Sequence, residues 1–231
     1  MTSQAEERQG PEILSPLRIS SDRLVKIYRF AGIPERFCTL NIADLETTER
    51  AAPLWSRVKD LAGKWKSGES PERGLLLAGG QGTGKSAAIF LSARAAIKSY
   101  LREINPEAPG FPDIPIWVRE FPEWQRFEFC PKDERNRWNF EDLDKITNSR
   151  AIFFDEMTFD ARSDAFKPTA EFFYLLVNRL CNMSKPPALY ISTNNTSADW
   201  EKLFGSNLVD RVIGKKHGLC EIIKCDWKSF R

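Results

Sequence analysis

An eight-residue stretch, GGQGTGKS at 79–86, narrows the folds open to this chain more than any other part of it. Gly79, Gly84, Lys85 and Ser86 fit the spacing G-x-x-x-x-G-K-[ST]. Glycines let backbone N–H groups curl around an anion with no Cβ in the way. A helix that starts directly after them turns its positive end toward the same anion. The flanks agree. GLLLAGG (74–80) is a short apolar run ending in glycines, as a buried parallel strand would be. Residues 84–103 carry Ala88, Leu91, Ala95 and Ala96 on a packed side and read as a helix. The loop Gly79, Gly80, Gln81, Gly82, Thr83, Gly84, Lys85, Ser86 and Ala87 is therefore expected to wrap the phosphates of ATP. Lys85 would reach the β and γ phosphates, and Ser86 would ligate Mg²⁺.

The rest of the chain alternates in the same way. Helices are expected over 21–31 and from about Pro53, where Leu54, Trp55, Val58, Leu61, Ala62 and Trp65 form one stripe. Further helices are expected around Trp124 and Phe127, over 140–147 behind an Asn139–Asp142 cap, over 168–183, and near 198–204 and 206–213. Short apolar strands are expected at 116–118, 151–154, 188–192 and 219–225. Residues 130–138 read as a charged loop and 1–20 as a polar lead-in. This alternation predicts an α/β fold, a parallel sheet sandwiched by helices, and the 79–86 motif narrows it to the P-loop NTPase class. A short tail and helix would occupy 1–32 and the core 33–231. Such sheets bind ligands at the carboxyl ends of their strands, where the polar motifs all fall.

AIFFDEM (151–157) is four apolar residues ending in two acids, the way a buried strand delivers carboxylates to its own tip. Asp155 would hold the Mg²⁺ shell, and Glu156 would orient and polarise an attacking water. An acid beside the metal aspartate favours water as nucleophile, hence hydrolysis. STNN (192–195) is expected to end the next buried strand, where a polar side chain would sit between the γ phosphate and that water. Asn194 is the first choice, with Thr193 and Asn195 close by.

Composition excludes several classes. Apolar residues make up 42% of 231, enough to bury a core. A net charge of +2 rules out a histone-like polycation but leaves room for local basic patches. No apolar run approaches the roughly 20 residues of a membrane span. The first residues carry no apolar signal-peptide core. Five cysteines without C-x-x-C, beside His217 as the single histidine, fit reduced thiols in a cytoplasmic protein better than a zinc site. His217, in KKHGL, reads as a turn residue.

Together these motifs resemble the AAA+ ATPases of the DnaC and IstB type, which comprise replicative helicase loaders and the ATPase helpers of an insertion-sequence transposase. AGIPERF (31–37), EFFYLLVNRL (171–180), LFGSNLVDRV (203–212) and IIKCDWKSFR (222–231) are similar to segments of that family in the same order. The resemblance implies that Arg211, in VDRV, is an arginine finger completing a neighbouring subunit's site, and hence a homo-oligomer. Only 36 residues follow Asn195, which implies the absence of a C-terminal helical lid.

Two stretches suit nucleic acid. Residues 202–231 carry seven basic residues against three acids, and 117–138 interleave Trp117, Arg119, Phe121, Trp124, Arg126, Phe127, Lys132, Arg135, Arg137 and Trp138. The first reading is an ATP-driven loader that grips single-stranded DNA and holds or opens a replicative helicase. The second is a transposition helper that binds duplex DNA and recruits a transposase. A P-loop small-molecule kinase and a nucleotide-gated binding module with negligible turnover are readings from other classes. The acidic pair and the polar strand end fit water attack better than transfer to an acceptor.

Overall fold

A computed structural model of the chain describes residues 19–45, 49–104, 110–122, 140–160, 162 and 166–227. Five strands form one sheet: β1 (Gly74–Gly79), β2 (Ile116–Glu120), β3 (Ala151–Asp155), β4 (Ala188–Thr193) and β5 (Cys220–Cys225). Their order is β2-β3-β4-β1-β5, and every pairing is parallel. β1, β3 and β4 are buried along almost their whole length, which is why they read as continuous apolar runs.

Side chains on a strand alternate between its two faces, and the core divides accordingly. Leu75, Leu77, Phe153 and Tyr190 belong to one apolar cluster; Leu76, Ile152, Phe154, Leu189 and Ile191 belong to the other. The first is covered by α1 (Ser21–Phe30), α3 (Ala52–Lys66) and α4 (Lys85–Glu103). Phe153 stacks on Tyr190 at 4.3 Å, and the Trp65 indole N–H of α3 donates to the Tyr190 hydroxyl. The second face is covered by α5 (Phe140–Thr147), α6 (Phe166–Cys181) and α7 (Ser197–Ile213). The expected sandwich is therefore the observed architecture.

Element ends follow local chemistry. Ser20 caps α1 by accepting the Arg23 N–H, and α1 buries Ile27 and Tyr28 in the core rather than standing away from it. Pro53 lies in the first turn of α3, as a residue without a needed N–H can. Thr196 and Asp199 form a reciprocal capping box at the start of α7. The two short helices expected near 198–204 and 206–213 are the two halves of α7, separated by a kink at Gly205, whose φ is 76°. α6 begins and ends two residues earlier than the apolar pattern implies. A short helix absent from that pattern, α2 (Glu35–Cys38), leads into a 3₁₀ turn at Ile42–Asp44. The lead-in over 1–18, the Trp124–Phe127 helix, the 130–138 loop and the Asn139 cap lie outside the described residues.

The strand of Asp155 is not adjacent to that of the glycine loop, because β4 lies between them. The consequence is local: the tip of β4 touches both. No helix among the described residues is long and apolar enough to cross a membrane.

β1 passes so close to β4 that a Cβ on Gly74 would sit 1.8 Å from the Leu189 carbonyl oxygen. Gly74→Ala is expected to cost about 1–3 kcal/mol through forced strand separation, read as a lower urea midpoint.

Candidate functional site

Three strand tips meet at the carboxyl edge of the sheet. β1 leads into the glycine loop and α4. Gly84 has φ of 87°, a left-handed conformation that a Cβ disfavours, and it turns the chain into the helix. The loop is braced internally and from behind. The Thr83 hydroxyl donates to the Gly80 carbonyl, and the Trp227 indole N–H, just past β5, donates to the Thr83 carbonyl. The Lys85 ammonium lies across the loop and donates to the Gly79 and Gly80 carbonyls at 2.8 and 2.5 Å. Burial lowers its pKa, while Cys225, Asp155 and Glu156 pull the other way. Burial also pushes the adjacent Cys225 thiol up to about 12, so it stays neutral.

β3 delivers its two acids differently. Asp155 is 1% exposed, whereas Glu156 is open to solvent. Burial lifts the Asp155 carboxyl above the ordinary carboxylate range, and the Ser192 and Ser86 hydroxyls work against it. Asp155 Oδ1 accepts from the Ser192 hydroxyl at 2.5 Å, while Oδ2 is buried with no hydrogen-bond partner. Glu156 has φ of 56°, left-handed and uncommon for a residue with a side chain. Its N–H donates to Ser192 Oγ at 2.9 Å, and the Met157 N–H donates to the Ser192 carbonyl. Ser192 thus fixes both the acid that is buried and the turn that presents the other.

Of the polar pair at the end of β4, only one side chain faces the cleft. Asn194 lines it, with its backbone N–H held by Thr158 Oγ1. Asn195 turns away: its amide clamps Phe159, accepting from the N–H and donating to the carbonyl. Thr193 is fully buried and its hydroxyl accepts the Asn195 N–H.

A cleft of about 700 Å³ joins these parts. Gln81, Gly82, Thr83, Gly84, Lys85, Ser86 and Ala87 form its floor, with Glu156, Ser192 and Asn194 on one side. The rest of the lining is Arg36, Phe37, Leu45 and Trp55. Phe37 stacks on Phe90 of α4, and the Arg36 guanidinium lies 4.8 Å from the Phe37 ring centroid. An anion-binding floor beside an apolar, aromatic wall suits a nucleotide: phosphates on one part, base on the other. The buried Asp155 oxygen without a hydrogen bond, near Ser86, suits a hydrated divalent cation.

The sequence picks out the loop, Asp155, Glu156 and Asn194. It misses Ser192, whose sole signal is its place at the head of STNN, and the Arg36–Trp55 wall, where Trp55 reads as helix core. Arg211 stands elsewhere. Its guanidinium donates to Asn178, near the end of α6, and its carbonyl accepts the Leu219 N–H just before β5. That is the amino edge of the sheet, opposite the cleft. Within 117–138, Trp117 packs on Phe154 and Phe121 is buried in the core; residues 123–138 lie outside the described set.

No protein-family model and no curated protein matches the chain. Solved structures do. The chain is similar to the crystal structure of the DnaC helicase loader, with a TM-score of 0.59 and 15% identity over 83% of this chain and 99% of that one. It is similar to DnaI (0.52, 15%, 83% and 93%) and to AMPPCP-bound DnaA from Aquifex aeolicus (0.51, 14%, 80% and 51%). At such identities the likeness shows the fold alone, a parallel α/β sheet flanked by helices as in the DnaC and DnaA structures, and this is the fold expected from the motifs.

The raised Asp155 pKa has a definite sign. The folded state holds that proton more tightly than the unfolded chain. Asp155 therefore weakens the fold as pH rises through the ordinary carboxylate range to the higher folded value. Asp155→Asn keeps an acceptor for Ser192 and removes the buried charge. Without divalent cations the variant is expected to melt higher than the parent at pH 7, with the difference shrinking toward pH 4. Equal melting at all pH values would contradict this.

Proposed function

We propose that this chain is an ATP-hydrolysing helicase loader of the DnaC kind. Copies assemble with ATP on single-stranded DNA and recruit or open a replicative helicase. The observation that carries the reading is the convergence of the glycine loop, Glu156 and Asn194 on one cleft, on a fold similar to that of the DnaC loader. The phosphates of ATP lie along the loop from Gly79 to Ala87, and Lys85 turns its ammonium to the β and γ phosphates. Ser86 and Asp155 hold Mg²⁺, which would neutralise charge on those phosphates.

Glu156 accepts a hydrogen bond from the attacking water and aligns it with the γ phosphate. Asn194 stands beside it as a polar contact to the same phosphate. Phe37, Leu45 and Trp55 take the base. Because Arg211 lies at the opposite edge of the sheet from its own cleft, its part in the chemistry is in the cleft of a neighbouring copy. There a guanidinium offsets charge growing on the γ phosphate. The turnover of an isolated copy is then low, and the working form is an oligomer.

The steady-state ATPase rate, measured alone, with single-stranded DNA and with duplex DNA at one low salt, tests this reading. Stimulation mainly by single strands is expected. Stimulation by duplex alone would favour the transposition helper, and the absence of turnover in every arm would overturn the enzyme reading. Glu156→Gln is expected to lower the stimulated rate by about 10²–10⁴-fold with ATP affinity retained.

A further inference from the structure

A second concavity of about 360 Å³ lies away from the nucleotide cleft, between α3 and α4 beside the 3₁₀ turn. Its floor is aliphatic: Leu40, Ile42, Val58, Ala62, Leu91 and Ala95. Its remaining lining includes Lys66, Arg94, Lys98 and Arg102, with no acid among the described lining residues. Arg94, Lys98 and Arg102 recur every four residues along α4, about 6 Å apart on one face, and Lys66 faces them from the end of α3.

These cations are not equivalent. Arg94 is spent on the fold: it donates to the Phe37 and Leu40 carbonyls and lies over the Tyr28 ring. Among the described residues, Lys66, Lys98 and Arg102 make no hydrogen bond or ion pair. Lys98 is half-buried, and burial with the neighbouring Arg94 and Arg102 charges lowers its pKa. Three uncommitted cations over a strip of aliphatic surface are an unfavourable arrangement by themselves. An anion set over them relieves the repulsion, and an apolar group removes the strip from water.

Both parts of the ligand follow from this lining. A nucleic-acid strand would supply the charges, but the described lining offers its bases no aromatic ring to stack on. A groove between two helices with an aliphatic floor and a charged rim fits an amphipathic helix, its apolar residues at i, i+3, i+4 and i+7 pointing down. Here the flanking residues would be acidic. We infer that the α3–α4 groove is a docking site for an acidic, amphipathic segment of a partner protein. The site does not depend on nucleotide chemistry and stands whether or not the cleft hydrolyses ATP.

The test uses the full chain and three fluorescein-labelled probes. One is an 18-residue helical peptide with leucines at i, i+3, i+4 and i+7 and glutamates elsewhere. The second carries serine at the leucine positions, and the third is an oligo-dT strand. Anisotropy should show saturable binding of the leucine–glutamate peptide that weakens with salt, with weaker binding of the serine version. Lys98→Glu with Arg102→Glu should weaken the leucine–glutamate peptide about tenfold or more, while the fold, checked by circular dichroism and melting, is kept. Arg94 is left intact because it braces the cleft wall. Leu91→Asp, on the floor, should weaken it as well. Absence of peptide binding, or binding that both variants leave unchanged, overturns the inference. So does oligo-dT binding lost in the Lys98/Arg102 variant while peptide binding is not, because the groove is then a nucleic-acid track. Self-association of the chain abolished by the same variant would likewise overturn it, assigning the groove to a second copy.

Discussion

The buried Ser192 hydroxyl ties the site together. It donates to Asp155 Oδ1 and accepts the Glu156 N–H, while the carbonyl of the same residue accepts the Met157 N–H. Two strand tips are thereby locked at one relative height. Without that lock nothing obliges the chain after β3 to turn sharply, and Glu156 has no reason to remain left-handed. A left-handed residue with a side chain costs on the order of 1–3 kcal/mol, so it persists only where neighbours over-determine it. Here the turn sends one acid inward beside Ser86 and the next outward into the cleft. Adjacent residues on a regular strand would also point to opposite faces of the sheet, but not to opposite sides of one loop.

The strand order explains why a β4 residue has this role. β4 sits between β1 and β3, so its tip is the natural bridge from the glycine loop to the acids. Other elements brace the floor and the aromatic wall of the same cleft. Trp227 holds the Thr83 carbonyl from behind, and Arg94 holds the Phe37 and Leu40 carbonyls from below. The cleft is thus built by contacts between segments far apart in the chain, most of them ending in a hydrogen bond to backbone. Such bonds fix the position of a loop without demanding a particular side chain there.

Much of this was legible beforehand, and what was not has a common cause. Apolar period and punctuation by glycine and proline depend on local chemistry, so among the described residues the strands and the long helices lie within a few residues of their expected bounds. The glycine loop was legible because its geometry is a property of its own residues. Strand order was not, because it is decided by pairing across the sheet. Ser192 looked like one of several polar residues in STNN; its importance lies in what stands across from it, 36 and 37 residues away. Asn195 was a fair rival to Asn194 on composition, and only the path of the 157–160 segment turns it aside. Trp55 was read as core, and it is core, but its ring also closes the cleft.

The central claim is that a buried hydroxyl on β4 holds Glu156 in working position. The most direct measurement is the ATP turnover of Ser192→Ala at saturating ATP, with ATP affinity measured alongside. Loss of alignment alone should lower turnover on the order of 10–100-fold while the dissociation constant stays within a few-fold of the parent. Turnover equal to the parent would contradict the account, because Glu156 would then need no such anchor.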